Sequence, residues 1–171
     1  MRDVPTLTTD RFALRPLQRG DEHALFPTLS DEEQCRFLTR PVFESPEELW
    51  DWLAEPGWNG RTWIAVDGEG RVAARVVAVP THDPRIEEIG YIVCKDRQRA
   101  GIAREVSGAL ITQLFAEGMR KITAETDTRN TGSIALLESL GFTREAHLRE
   151  HEVTHTGLCD LYLYGLLAGD A

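Results

Sequence analysis

Apolar positions change their spacing several times along the chain, and each change marks an element. Phe12, Leu14 and Leu17 follow Thr8-Thr9-Asp10 at β-compatible spacing and predict a strand. Gly20-Asp21-Glu22 opens a short helix through Leu25 and Phe26, which Pro27 ends or kinks. A second short helix is predicted over residues 31–37. Ser45-Pro46-Glu47-Glu48 is a strong helix start: Ser45 caps, Pro46 suits the first helical position and Glu48 closes a capping box. Leu49, Trp50, Trp52 and Leu53 continue that helix, and residues 57–60 break it with two glycines.

Two β-rich runs, 62–66 and 72–79, flank Asp67-Gly68-Glu69-Gly70 and predict a hairpin. Residues 86–93 form another strand. The period then changes: Ile102, Val106, Ala109, Leu110 and Leu114 make one helical stripe, ended by Gly118. A short strand (121–125) and a short helix (133–140) stopped by Gly141 come next. Two strands, 142–153 and 158–167, close the chain around Thr156-Gly157. The order β-α-α-α-β-β-β-α-β-α-β-β predicts an α/β (α+β) fold, with helices on both faces of a mixed sheet of six to seven strands.

A length of 171 residues fits one domain, 1–171, since either half alone would be short of core. No apolar run approaches the ~18 residues of a membrane span, and Met1-Arg2-Asp3-Val4-Pro5-Thr6 lacks the apolar stretch of a secretory signal. Asp and Glu outnumber Lys and Arg by 28 to 19, a net charge of -9. That balance disfavours coating DNA or RNA and suits a cationic small molecule or basic peptide. Cys35, Cys94 and Cys159 are odd in number and widely spaced, so no disulfide framework is expected and a reducing cytoplasm is the natural setting.

The chemistry concentrates after the strand ending Tyr91-Ile92-Val93. Cys94-Lys95-Asp96-Arg97-Gln98-Arg99-Ala100-Gly101 is a basic loop with small residues, and a helix begins at Ile102-Ala103. Small residues let backbone approach a ligand, and the first N–H groups of a helix favour an anion. Arg97, Arg99 and Arg104 reverse the local sign of an acidic protein, which points to a phosphate-bearing ligand; a plain strand-to-helix connection is the alternative. No Gly-Lys-Ser/Thr follows, so it is not a Walker loop.

Further on, Asp127-Thr128-Arg129-Asn130-Thr131-Gly132-Ser133 precedes Leu140-Gly141-Phe142. Together these motifs resemble the Gcn5-related N-acetyltransferase (GNAT) family, in particular its branch of ribosomal-protein N-terminal acetyltransferases and their small-molecule-acetylating relatives. Gln98-Arg99-Ala100-Gly101-Ile102-Ala103 matches the family's pyrophosphate loop in its Ala variant, and Asn130 to Ser133 matches its Asn-x-x-Ser. Similar stretches open the chain at 7–17, recur at Glu88-Ile89-Gly90-Tyr91 and close it at 160–167. The resemblance covers residues 7–167. It implies a central sheet that is mostly antiparallel and splayed in the middle, and acetyl-coenzyme A as cosubstrate.

The implied reaction is direct attack of a primary amine on the thioester. The resemblance places the cofactor on Tyr91, Ile92, Val93, the loop 98–103, Asn130 and Ser133, with a backbone N–H of 91–93 facing the thioester oxygen. It gives Ser133 the acid role at the leaving sulfur; a first-turn Ser that bonds the backbone, or that binds cofactor without transferring a proton, is the alternative. Leu137 stands where many members carry a catalytic Tyr, so that route is closed. Glu152 matches the branch's general base and is the first choice, with Glu88 on the cofactor strand as runner-up; the alternatives are a solvated strand Glu for Glu152 and an edge or sheet-end charge for Glu88. His147, His151, His155 and Cys159 recur every four residues, but on extended chain they do not converge, and no metal is expected. Trp50, Trp52, Trp58 and Trp63 suit core or rim packing, and an exposed ring at Trp50 or Trp52 could hold a cation. The acceptor is expected to be a basic N-terminal peptide, polyamine, amino sugar or amino acid, the protein a monomer or homodimer, with no nucleic-acid or membrane partner. A noncatalytic acyl-coenzyme A sensor is the rival of another class.

Overall fold

A computed structural model describes residues 3–170; Met1, Arg2 and Ala171, which belong to the expected amino-terminal reading and domain span, lie outside it. Eight strands form one sheet: β1 (Leu7–Thr8), β2 (Ala13–Pro16), β3 (Arg61–Val66), β4 (Val72–Pro80), β5 (Ile86–Val93), β6 (Lys121–Asp127), β7 (Thr143–Thr154) and β8 (Gly157–Leu167). Their spatial order is β1-β2-β3-β4-β5-β6-β8-β7. The extra strand relative to expectation is β1, a two-residue segment too short to show a period.

Every neighbouring pair is antiparallel except β5 and β6. That parallel pair is joined only at Ile86–Lys121, Glu87–Ile122 and Glu88–Thr123. Beyond Glu88 the two strands part, so the sheet is splayed at its centre. Alternate N–H groups of a strand face its two neighbours, so those of β5 that point towards β6 beyond Glu88 face a gap.

The helices divide between the faces. α3 (Ile102–Ala116) and α4 (Thr131–Ser139) bury Val106, Leu110, Leu114 and Leu137 against Leu14, Trp63, Val76 and Ile122. α1 (Asp21–Leu29) and α2 (Pro46–Leu53) bury Leu25, Leu29, Leu49 and Leu53 with Ile64 and Cys94. Ile64 and its neighbours Trp63 and Ala65 fall in different clusters, as strand alternation requires. Among the described residues no helix is long and apolar enough to cross a membrane.

Three local expectations need correction. Residues 31–37 form turns, not a helix. Asp31 holds them by accepting N–H bonds from Glu33 and Gln34, an Asx-type arrangement that competes with helical pairing. Pro27 does not end α1: the helix runs to Leu29 with Pro27 inside. Ser45 caps α2 as expected, accepting from the Glu48 N–H at 3.1 Å. Glu48, however, reaches back to the Glu44 N–H and to Arg40, not to the Ser45 N–H, so the capping box is shifted by one residue. Ser45→Ala is therefore expected to lower stability by about 1 kcal/mol, read as a lower urea midpoint at unchanged slope.

Candidate active site

The strand-to-helix loop is built as an anion cradle. After β5 a single 3-10 turn, Lys95–Arg97, carries the chain to Gln98, whose amide nitrogen donates to Val93 O and Gln34 Oε1. Arg99 (φ 60°) and Gly101 (φ 73°) both adopt left-handed backbone, and Gly101 is the N-cap of α3. The Glu105 N–H is the first to reach a helical carbonyl, that of Gly101. The N–H groups of Ile102, Ala103 and Arg104 stand at the open, positive end of a 15-residue helix.

The three arginines of this region are not equivalent. Arg97 donates to Asp67 at 3.0 Å, so much of its charge is already answered. Asp67 is held at about 2, first by the Arg71 N–H and, after the opposing effect of burial, by the Arg97 bond. Arg104 makes only a long bond to Ser139 O, at 3.5 Å. Arg104 and Arg99 line the groove beside the helix start with no ion pair among the described residues. These two supply the local reversal of sign.

From this cradle a groove of about 540 Å³ runs along the splay, bounded by Tyr91, Ile92 and Val93 on one side and by Asn130, Gly132, Ser133 and Leu136 on the other. The Asn130 side chain caps α4, accepting from the Ser133 N–H at 3.1 Å, so its turn-and-cap role is real whatever else it touches. Ser133 does not spend its hydroxyl on the helix. Its Oγ lies 2.6 Å from the Tyr91 hydroxyl. Burial drives the Tyr91 phenol up to about 12, with the Ser133 bond opposing, so it keeps its proton at neutral pH. The Tyr91 side chain meets Ser133 from 42 residues away, a contact that only the fold brings about.

A second cavity, about 370 Å³, opens on the other side of this pair and shares Tyr91, Ile92, Asn130 and Ser133 with the groove. Its walls carry Glu88 from β5, Glu125 and Asp127 from β6, and Glu152 from β7. Asp127 is committed to Arg129 through two oxygens, at 2.9 and 2.6 Å, and those bonds keep its carboxyl low. Glu88 is pushed up to about 6, by burial first and then by the charges of Glu125 and Glu152. Both predicted carboxylates thus reach one cavity. Glu152 arrives there through an irregularity: three residues, 149–151, bulge between the pairs Leu148–Leu161 and Glu152–Cys159. Asp160 organises the bulge by accepting from the Glu150 N–H at 2.8 Å and bonding His147 Nε2 at 2.7 Å. Glu150 takes up left-handed backbone, φ 48°.

Trp52 from α2 and Phe37, Leu38 and Thr39 from the turn segment also line the cavity. Trp50 stacks under Arg19 instead, and Trp63 is fully buried in the sheet. Arg75 on β4 also lines the cavity, a residue that no sequence motif singled out.

A groove ending in free helix N–H groups and a carboxylate-lined cavity meeting it at a hydroxyl pair can bind an anionic carrier on one side and an amine on the other. Residues 11–143 match the family model described as Acetyltransferase (GNAT) domain, so the chain belongs to the GNAT acetyltransferases. It is 29% identical over 172 aligned positions to the uncharacterized N-acetyltransferase p20 of Bacillus licheniformis, with 96% of this chain and 97% of that one covered. Among solved structures it resembles a GNAT-family acetyltransferase from Bacillus anthracis (TM-score 0.89, 21% identity, 96% of this chain and 99% of that one). It also resembles spermidine N-acetyltransferase from Vibrio cholerae, solved with CoA and spermine (TM-score 0.81, 20% identity, 95% and 98% covered). The protein is an N-acetyltransferase by family, and GNAT acetyltransferases use acetyl-coenzyme A.

Proposed function

We propose that one domain spanning residues 1–171 acetylates the primary amine of a small molecule, by direct attack of the amine on acetyl-coenzyme A. The observation that carries this reading is the junction at Tyr91 and Ser133, where the phosphate-competent groove and the carboxylate-lined cavity meet. Acetyl-coenzyme A supplies an acetyl group activated as a thioester. The N–H groups at 102–104, with Arg99, Arg104 and the cradle from Gln98 to Ala103, hold its phosphates. Tyr91 to Val93 and Asn130 flank the arm, and a β5 N–H facing the splay is the donor for negative charge on the thioester oxygen.

Glu88 takes the proton from the incoming ammonium group, directly or through one water. Its place on β5 in the wall of the cavity that meets the groove at Tyr91, with a carboxyl raised to about 6, supports this choice. Glu152 and Glu125 then serve to raise Glu88 and draw the cation in. Ser133 gives a proton to the leaving sulfur, Tyr91 refills Ser133 through their 2.6 Å bond, and the second proton that the nitrogen sheds on acylation returns to Tyr91, so the pair ends as it began. Ser133→Ala and Tyr91→Phe are expected to lower kcat about tenfold or more with little change in coenzyme A affinity, and the double variant to cost no more than either alone, because the pair acts as a unit. Loss of affinity with kcat preserved would make Ser133 a cofactor-positioning residue.

The modest volume of the cavity lined by Trp52 and Phe37, about 370 Å³, supports a small acceptor. A protein N-terminus, as in the ribosomal-protein branch, is the second reading; the motifs at 7–17 and 160–167 favour it. Every group invoked comes from one chain, so a monomer or a homodimer would serve. Three buried free thiols suit a reducing cytoplasm. Thiol release from acetyl-coenzyme A, measured over amino acids, polyamines, amino sugars and basic N-terminal peptides, tests the reading. Release with a small amine supports it. Coenzyme A binding without release across the panel would replace it with the noncatalytic sensor.

A further inference from the structure

The acceptor-side cavity carries opposite charge at two ends. Glu125 and Glu152 lie near enough to Glu88 to act on its charge, and Asp127 is answered by Arg129; among the described residues the one cationic lining residue is Arg75, on β4 beside Trp52. Arg75 is 7% exposed, yet no carboxylate pairs with it among the described residues. Its Nη2 donates to Thr62 Oγ1 at 3.3 Å, and its buried Nε has no hydrogen-bond partner. The Trp52 and Trp58 rings lie 4.9 and 5.6 Å from its Cζ. Arg61, equally buried one strand away, shows the usual solution: it is clamped by Glu87 at 3.0 Å and Glu117 at 2.8 Å. A buried cation without a counterion is costly to fold around. Burial draws the Arg75 guanidinium down to about 10, so it still carries its charge at neutral pH.

We infer that Arg75 is the anchor for an anionic group on the acceptor, which is therefore an amino acid or another amine bearing a carboxylate; this rests on the acetyl-transfer reading above. In register, Arg75 lies opposite Ile92 and Glu88 opposite Val79, so the charged ends are about 13 Å apart along the strand at 3.3 Å per residue, less whatever the long side chains span. Between them lies Gly90, where a Cβ would come within 3.0 Å of Val77 Cγ2, so the floor there bears no side chain. One small zwitterion can address both ends, its amine towards Glu88 and its carboxylate on the Arg75 fork. A polyamine would bring a second cation against Arg75, and a simple amino sugar would leave Arg75 unanswered.

The test pairs each amino acid with its carboxamide, which keeps the amine and removes the anion. Calorimetric titration into coenzyme A-saturated protein reads binding, and KM and kcat with acetyl-coenzyme A read turnover. Wild type is expected to prefer the carboxylate member about 10- to 100-fold. Arg75→Gln should remove that preference by weakening the carboxylate member alone, with coenzyme A affinity unchanged, and Arg75→Lys should retain part of it. Should Arg75→Gln not fold, the wild-type comparison and Arg75→Lys still decide. Equal treatment of both members by wild type, or equal weakening of both in Arg75→Gln, overturns the inference. If amines are acetylated without that preference, the acetyl-transfer reading stands and only this inference falls; if none is bound or acetylated, both fall.

Discussion

Gly101→Asp is expected to abolish the thermal stabilisation that coenzyme A gives the wild-type protein. At a hundredfold excess over Kd a bound ligand adds about 2.7 kcal/mol, which for a domain of this size raises Tm by roughly 5–10 °C. Gly101 is the N-cap of α3 and holds φ 73°. An Asp there sets a carboxylate against the free N–H groups of 102–104, the place proposed for a pyrophosphate. The fold itself should survive, because a Cβ at Gly101 would meet only Arg11 Nη2, at 3.8 Å. Gly101→Ala separates the two effects. It carries the same left-handed backbone strain, about 1 kcal/mol, without the charge, and should keep part of the coenzyme A shift. A shift as large in Gly101→Asp as in wild type would remove the loop from the binding site.

Glu88→Gln is expected to lower kcat/KM about 10²- to 10³-fold near neutrality. A general base acts in its ionised form. The wild-type profile should therefore rise with pH through about 6, where Glu88 loses its proton, and then level until the free amine titrates. Burial and the charges of Glu125 and Glu152 put that limb above the ordinary carboxylate range. Asp127, already paired with Arg129, contributes no limb there, and Arg75 stays charged throughout. In Glu88→Gln the limb near 6 should vanish, and activity should climb steadily towards the amine's own pKa, where neutral amine needs no base. Glu152→Gln should instead keep the limb and move it down, since one of the negative charges that raise Glu88 is gone. If Glu152→Gln loses the limb and Glu88→Gln keeps it, the base is Glu152. If neither variant changes the profile, solvent deprotonates the acceptor and the site works by positioning.

How much of this was legible beforehand depended on range. The stripe from Ile102 to Leu114 and the glycine-punctuated hairpin around 67–70 are local signals, and both elements appear where the spacing put them. Local too were the cradle residues Gln98 to Ala103, because a strand, a small-residue loop and a helix start are contiguous. The Asp31 turn misled because its polar side chain takes N–H groups that a helix would need. Contacts between distant segments were not legible. Tyr91 and Ser133 meet only because α4 starts beside the splay, and no spacing encodes that. Glu152 reaches the cavity through a bulge pinned by Asp160, which period-two reasoning cannot anticipate. Arg75 reads in sequence as one polar residue in an apolar strand; its lack of a partner carboxylate becomes visible only once its neighbours are in place.

Acetyl transfer is tested most directly by mass spectrometry of a single amine after incubation with acetyl-coenzyme A and the protein at neutral pH. One acetyl group is expected on the amine nitrogen, in step with thiol release, with wild type and hardly at all with Glu88→Gln. Thiol release with the amine unmodified, or an amine acetylated equally with and without the protein, would contradict it.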